Sequence, residues 1–194
     1  PLYAAYAVLN KGRSIRSPLA IESAERKIAI SPEGEVASIQ PRPVLEAHKL
    51  IEEMMIQANV CAAETLEARK IPLIYRIHDT PSQEKVQSLV DFLQTLDIAW
   101  SKGEAPRTDR FNKLLAETRD TPNADIVNEV VLRTQMQAIY SPENIGHFGL
   151  NLAKYGHFTS PIRRYADLIV HRGLITALSL GADGLSERDI QKMK

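Results

Sequence analysis

His157-Phe-Thr-Ser-Pro-Ile-Arg-Arg-Tyr165, followed by Ala-Asp-Leu-Ile-Val-His-Arg172, is the stretch from which the rest of the sequence is best read. Ser160 is a natural helix N-cap, and Pro161 suits the first helical turn, where a missing amide hydrogen is no loss. Ile162, Tyr165, Ala166 and Ile169 return at three- and four-residue steps, which predicts a helix running toward Leu174 and Leu178 with this stripe against a core. Arg163 and Arg164 then stand where unpaired backbone N–H groups and the positive end of the helix dipole already attract anions. The pattern predicts a phosphate site. A plainer reading is an exposed ion pair between Arg163 and Asp167, four residues apart, contributing about 0.3–0.5 kcal/mol.

Outward from this stretch, further blocks carry a resemblance. Asn144-Ile-Gly-His-Phe-Gly-Leu150, then Tyr155-Gly-His-Phe-Thr-Ser-Pro-Ile-Arg-Arg-Tyr165, stand downstream of Asp79, Tyr140 and Ala47-His-Lys-Leu-Ile-Glu-Glu-Met-Met-Ile-Gln-Ala-Asn59. In residues and in order these blocks resemble the RNB exoribonuclease family, which includes ribonucleases II and R, and most closely its ribonuclease R members. The resemblance implies that residues 1–194 are a partial RNB catalytic domain. It also implies a 3′-to-5′ exoribonuclease that hydrolyses single-stranded RNA to nucleoside 5′-monophosphates with Mg²⁺.

By that resemblance Arg163 contacts the scissile phosphate and stabilises the charge that develops as the bond breaks, a role suited to a guanidinium. Arg164 supports it or contacts a neighbouring phosphate. Glu52 hydrogen-bonds the ribose, the kind of 2′-hydroxyl contact that separates RNA from DNA. Ser160, Tyr155 and His157 are the remaining RNA-binding candidates. The family's metal-binding aspartates belong to an acidic motif upstream of these residues and a further glutamate lies downstream, so no metal ligand is expected here. Pro1 and Lys194 read as the ends of a fragment that is inactive alone. One departure stands out: Ile21 occupies the place of the phenylalanine that clamps the terminal bases in ribonuclease II, and an aliphatic side chain stacks less well on a base.

Composition sets the outer bounds. A chain of 194 residues fits one domain and buries roughly 70% of the surface its unfolded form exposes. There are 24 basic and 24 acidic residues, so overall charge does not announce a nucleic-acid binder, and any RNA contact must come from local clustering. The single cysteine, Cys61, excludes an intramolecular disulfide and reads as a small buried thiol in an alanine-rich helix. No run approaches the roughly 18 apolar residues of a membrane span, and no signal peptide is recognisable, which predicts a cytoplasmic protein without membrane contact; a monomer is expected.

Along the chain, Pro1 to Leu9 is apolar and aromatic and precedes the basic stretch Lys11-Gly-Arg-Ser-Ile-Arg16. Alternation from Glu25 to Ile39 around Gly34 predicts a β-hairpin. A long amphipathic helix is expected over Val44 to Lys70, a short buried strand over Leu73 to Ile77, and a helix from Pro81 to Leu96. Trp100 to Pro106 reads as a loop. Helices over Asp109 to Glu117 and Ala124 to Ala138 and a strand over His147 to Leu152 complete a helix-rich α+β fold.

Several residues carry two readings. One of Glu52 and Glu53 lies on the apolar stripe, and an unpaired buried carboxylate is costly, so Lys49 or an arginine of a neighbouring helix is expected to satisfy it. Asn59 reads as scaffold. The histidines at 48, 78, 147, 157 and 171 are too scattered for a local metal motif. Tyr155 and Tyr165 suit either packing or base stacking. Two other classes remain open: a non-catalytic RNA-binding module of the same fold, and a helical scaffold whose arginines hold a phosphorylated metabolite.

Overall fold

The long helix α2 (Glu46–Ala68) organises the molecule, and in the computed structural model, which describes residues 1–21, 26–100 and 105–193, the other elements are arranged around it. Its buried face comprises Leu50, Glu53, Ile56, Asn59, Val60, Ala62, Ala63 and Leu66, a spacing of three and four that makes one continuous stripe. Against this stripe pack β3 (Tyr75–Ile77) and α6 (Tyr165–Leu178), with Ala63, Leu66, Leu73, Tyr75, Ile77 and Val170 forming the first core. Gly173 permits the close approach of α6, since a Cβ there would meet Leu66 Cδ2 at 3.2 Å.

A second core lies inside a three-helix group, α3 (Gln83–Gln94), α4 (Thr108–Thr118) and α5 (Ala124–Thr134). Phe111, Leu93, Val127 and Val131 are fully buried there. The two cores are tied by the extended strap after α1 (Leu2–Arg16). In that strap the Leu19 N–H donates to the Gly149 carbonyl at 2.8 Å, and Asn112 Nδ2 donates to the Pro18 carbonyl at 2.9 Å.

The strands form two separate antiparallel pairs. β1 (Arg26–Ile30) pairs with β2 (Val36–Pro41) as the expected hairpin, and Gly34 takes the positive φ of 87° that its turn requires. Both sides of β1 are exposed. β3 pairs with β4 (Ile139–Ser141), with Arg76 opposite Tyr140. The α+β class expected from the sequence is therefore present. No helix among the described residues is long and apolar enough to cross a membrane.

Several boundaries differ from expectation for physical reasons. The first residues, read only as apolar and then basic, form α1, which buries no side chain. α5 ends at Thr134 because Gln135 turns extended and leads into β4. His147 to Leu152 is a tight turn closed by reciprocal backbone hydrogen bonds, not a strand, and Asn151 has φ of 50° in it. Cys61 is exposed, with Gln57 Nε2 at 3.3 Å, so the buried-thiol expectation is corrected. The expected loop from Trp100 to Pro106 falls partly outside the described residues, as does Glu25.

Candidate nucleic-acid interface

The arginine stretch does not start the helix where the sequence pattern puts it. Ser160 is not the N-cap of α6: the helix begins at Tyr165 and its N-cap residue, Arg164, is extended at φ −131° and ψ 118°. Residues 160–164 form a turn instead, in which the Ser160 carbonyl accepts from the N–H groups of Arg163 at 3.3 Å and Arg164 at 3.2 Å. The expected stripe is also corrected, because Ile162 is 102% exposed and Tyr165 72% exposed, whereas Ala166 and Ile169 are buried as expected.

Asp167 explains the late start. Its carboxylate is completely buried and reaches back over the turn, where Oδ1 accepts from the Ser160 N–H at 2.7 Å. Arg164 closes the same carboxylate bidentately, Nε to Oδ2 and Nη2 to Oδ1, both at 2.7 Å. The ion pair expected between Arg163 and Asp167 is thus made by Arg164, one residue on. Burial pushes the Asp167 carboxyl upward, but the hydrogen bonds from Arg164 and Ser160 outweigh it and hold it below its ordinary range. Arg163 is exposed and its side chain makes no hydrogen bond or ion pair with the described residues.

Upstream, the segment leading into the turn is pinned by two more side chains. Asn59 Oδ1 accepts from the Phe158 N–H at 2.8 Å, and its Nδ2 donates to the Tyr155 hydroxyl at 2.9 Å. His171 Nε2 lies 2.8 Å from the Phe158 carbonyl while its ring stacks on the Phe158 ring, 4.3 Å between centroids. Tyr155 is only 8% exposed, so its ring serves packing, and the buried amide of Asn59 is scaffold as expected.

Around Tyr155 runs a chain of edge-on aromatic contacts, from His78 to His147, to Tyr155, to His157 and to Tyr140. His157 Nδ1 is 2.8 Å from the Tyr140 hydroxyl, and the guanidinium of Arg76 lies 4.9 Å over the Tyr140 ring. Burial and then the neighbouring Arg164 push His157 down to about 4. Burial and then His78 push His147 down to about 4. Both imidazoles are neutral at pH 7. His78 and His147 also line an open cleft of about 650 Å³ with Asp79, Asn144 and Asn151.

Glu52 lies apart from the arginine turn, on the exposed side of α2 near α1, and accepts from Arg13 Nη1 at 3.1 Å. It is Glu53 that is buried, held by Arg13 and, at 3.8 Å, by Arg16, which are the arginines of a neighbouring helix that its burial calls for. Glu52 and Asn59 are seven residues apart on one helix, hence on one line and about 10 Å apart along it. Ile21 is half-buried against the three-helix core. Among the described residues, no group of three or more His, Cys, Asp or Glu side chains is placed to hold a metal ion. The described residues do not fit a metal site.

The arrangement is a backbone turn tied to a buried carboxylate, which presents one guanidinium without a partner among the described residues beside a second, neutralised one. A profile of the RNB domain matches residues 1–180. The chain belongs to the RNB domain family. Ribonuclease R of Escherichia coli (strain K12) is 43% identical over 173 residues, covering 89% of this RNB chain and 21% of that protein. Apo RNase R of Mycoplasma genitalium has a TM-score of 0.87 at 30% identity over 100% of this chain and 30% of its own. The same bacterium's RNase R in complex with ribose-methylated single-stranded RNA has a TM-score of 0.85 at 28% identity, over 99% and 30%. The RNB chain thus spans about a fifth of the length of the curated ribonuclease R relatives it matches.

Tyr140 and Asp167 are residues of this site to which the sequence assigned no such place. Tyr140 was legible only as part of the family block. Asp167 carried a usable signal, a carboxylate three residues from Arg164 on a face that also holds Val170 and Gly173, both of which are buried.

Proposed function

We propose that this chain supplies the phosphate-binding portion of a 3′-to-5′ exoribonuclease that hydrolyses single-stranded RNA to nucleoside 5′-monophosphates. The observation that carries this reading is the contrast between the two arginines: Arg164 is neutralised by a buried carboxylate, and Arg163 is left unpaired on a pinned turn. A guanidinium carried on this turn can meet a phosphodiester with two parallel N–H donors and stabilise added negative charge. Arg163 is the catalytic residue in this reading. Arg164, Ser160, Tyr155 and His157 shape the turn and its flank. Glu52, about 10 Å along α2 from Asn59, which pins the segment before the turn, takes a ribose hydroxyl.

The divalent metal that nuclease chemistry calls for, Mg²⁺ by resemblance, needs ligands from beyond the described residues. In this proposal the protein is a cytoplasmic monomer. The test follows 5′-labelled single-stranded RNA with Mg²⁺ and the complete gene product, beside Arg163→Ala. Progressive shortening from the 3′ end that falls at least tenfold in the variant, about 1.4 kcal/mol of transition-state stabilisation, is expected. Unchanged turnover in the variant overturns the role of Arg163. Intact RNA that remains bound favours a non-catalytic module of this fold.

A further inference from the structure

The turn that carries Arg163 is not self-supporting. Its two backbone hydrogen bonds are long, 3.3 and 3.2 Å, and Ile162 at its tip is fully exposed and adds no packing. What fixes it comes from inside the following helix: one buried carboxylate that holds the entrance of the turn at the Ser160 N–H and its exit at the Arg164 guanidinium. Both ends are thereby tied to one carboxylate, Ser160 through Oδ1 and Arg164 through both oxygens, and α6 itself is clamped onto α2 through Gly173 and Leu66.

We propose that Asp167 is a positioning residue for Arg163, acting by closing the Ser160–Arg164 turn and by taking Arg164 out of competition for the phosphate. The proposal rests on the reading of Arg163 as the phosphate ligand. Asp167 touches no substrate in this account. If Asp167 is lost, the turn opens at one end and Arg164 becomes a second mobile cation. The two guanidinium groups then share the phosphate in many arrangements, of which few are productive. RNA still binds, because the total positive charge facing it rises. Turnover falls, because the orientation needed at the scissile bond is held for only a fraction of the time.

The test is steady-state kinetics of the complete gene product on single-stranded RNA with four variants: Asp167→Asn, Arg164→Lys, Arg163→Ala, and Asp167→Asn combined with Arg163→Ala. Asn keeps an acceptor for the Ser160 N–H but loses the charge that holds Arg164. Lys keeps the charge but lacks the planar fork. Asp167→Asn is expected to lower kcat at least tenfold with KM for RNA within twofold, and Arg164→Lys to lower kcat by a smaller factor. In the Arg163→Ala background, Asp167→Asn is expected to lower kcat less than twofold further. Where Asp167→Asn fails to fold, Arg164→Lys, alone and in the Arg163→Ala background, decides on the same criteria.

Unchanged kcat in Asp167→Asn, or a loss that multiplies with that of Arg163→Ala, overturns the positioning role while leaving Arg163 as the catalytic group. Full turnover in Arg163→Ala overturns both together.

Discussion

Replacing Asn59 by alanine tests whether the segment before the arginine turn is held from α2. Asn59 is buried and makes two hydrogen bonds across nearly 100 positions of sequence, to the Phe158 N–H at 2.8 Å and the Tyr155 hydroxyl at 2.9 Å. Truncation leaves the Phe158 N–H without its acceptor and the buried Tyr155 hydroxyl without its donor. A buried group left unpaired costs about 1–3 kcal/mol, and the vacated amide adds a small cavity. Phe158 is half-buried, so water reaches part of the gap, and the expected loss is about 2–4 kcal/mol. The assay is hydrogen exchange at the Phe158 amide of the complete gene product, with urea denaturation alongside. If the segment opens locally, a cost of about 2 kcal/mol is roughly thirtyfold faster exchange at that amide. Tyr155→Phe, which removes only one of the two bonds, is expected to fall near 1 kcal/mol. Protection at Phe158 and a denaturation midpoint both unchanged in Asn59→Ala would falsify the pinning role.

The acid response follows from the two depressed histidines. His147 and His157 stay neutral in the folded protein down to about 4, whereas in the unfolded chain they take up a proton near their ordinary value of about 6.5. Stability contributed by the neutral form is therefore complete above pH 6.5 and lost as pH falls from there toward 4, at no more than about 1.4 kcal/mol per pH unit for each histidine. Urea midpoints that stay flat over this window in wild type, or slopes identical in His157→Gln, contradict the assignment. Glu53→Ala removes the carboxylate that joins α1 to α2 and leaves Arg13 and Arg16 without it. With Arg13 partly hydrated, the cost is expected at about 1–3 kcal/mol, read as faster tryptic cleavage after Arg13 and Arg16. An unaltered cleavage pattern rejects the clamp. Ile21→Phe is expected to change the shortest product or its release rate, and identical end products remove Ile21 from any part in gripping the RNA terminus.

Much of the fold is legible from local pattern. The stripe from Leu50 to Leu66 marks α2, Ser82 caps α3 where a Ser-Pro-rich start announces it, and Gly34 places the hairpin turn. These features depend on neighbours within a few residues, so periodicity and turn chemistry suffice to place them. α1 escaped because it presents no buried stripe: it is fastened by charge, through Arg13 and Arg16 to Glu53, and hydrophobic periodicity is blind to that. The strand expected at His147 to Leu152 failed because its apolar residues belong to a turn braced by His78 from another element: His78 Nδ1 accepts from the Gly149 N–H at 2.9 Å.

At the candidate site, local pattern was enough to show two arginines after a Ser-Pro start ahead of a helix, and blocks around them that resemble RNB exoribonucleases. Which arginine lacks a partner among the described residues is settled by packing, not by spacing. Asp167 lies three residues from one arginine and four from the other, and either spacing permits an ion pair on a helix. The choice falls to Arg164 because the helix begins four residues later than its Ser-Pro signal places it. That delay arises because a fully buried carboxylate has Ser160 and Arg164 as its hydrogen-bond donors, and a buried charge left without partners costs far more than a turn of helix.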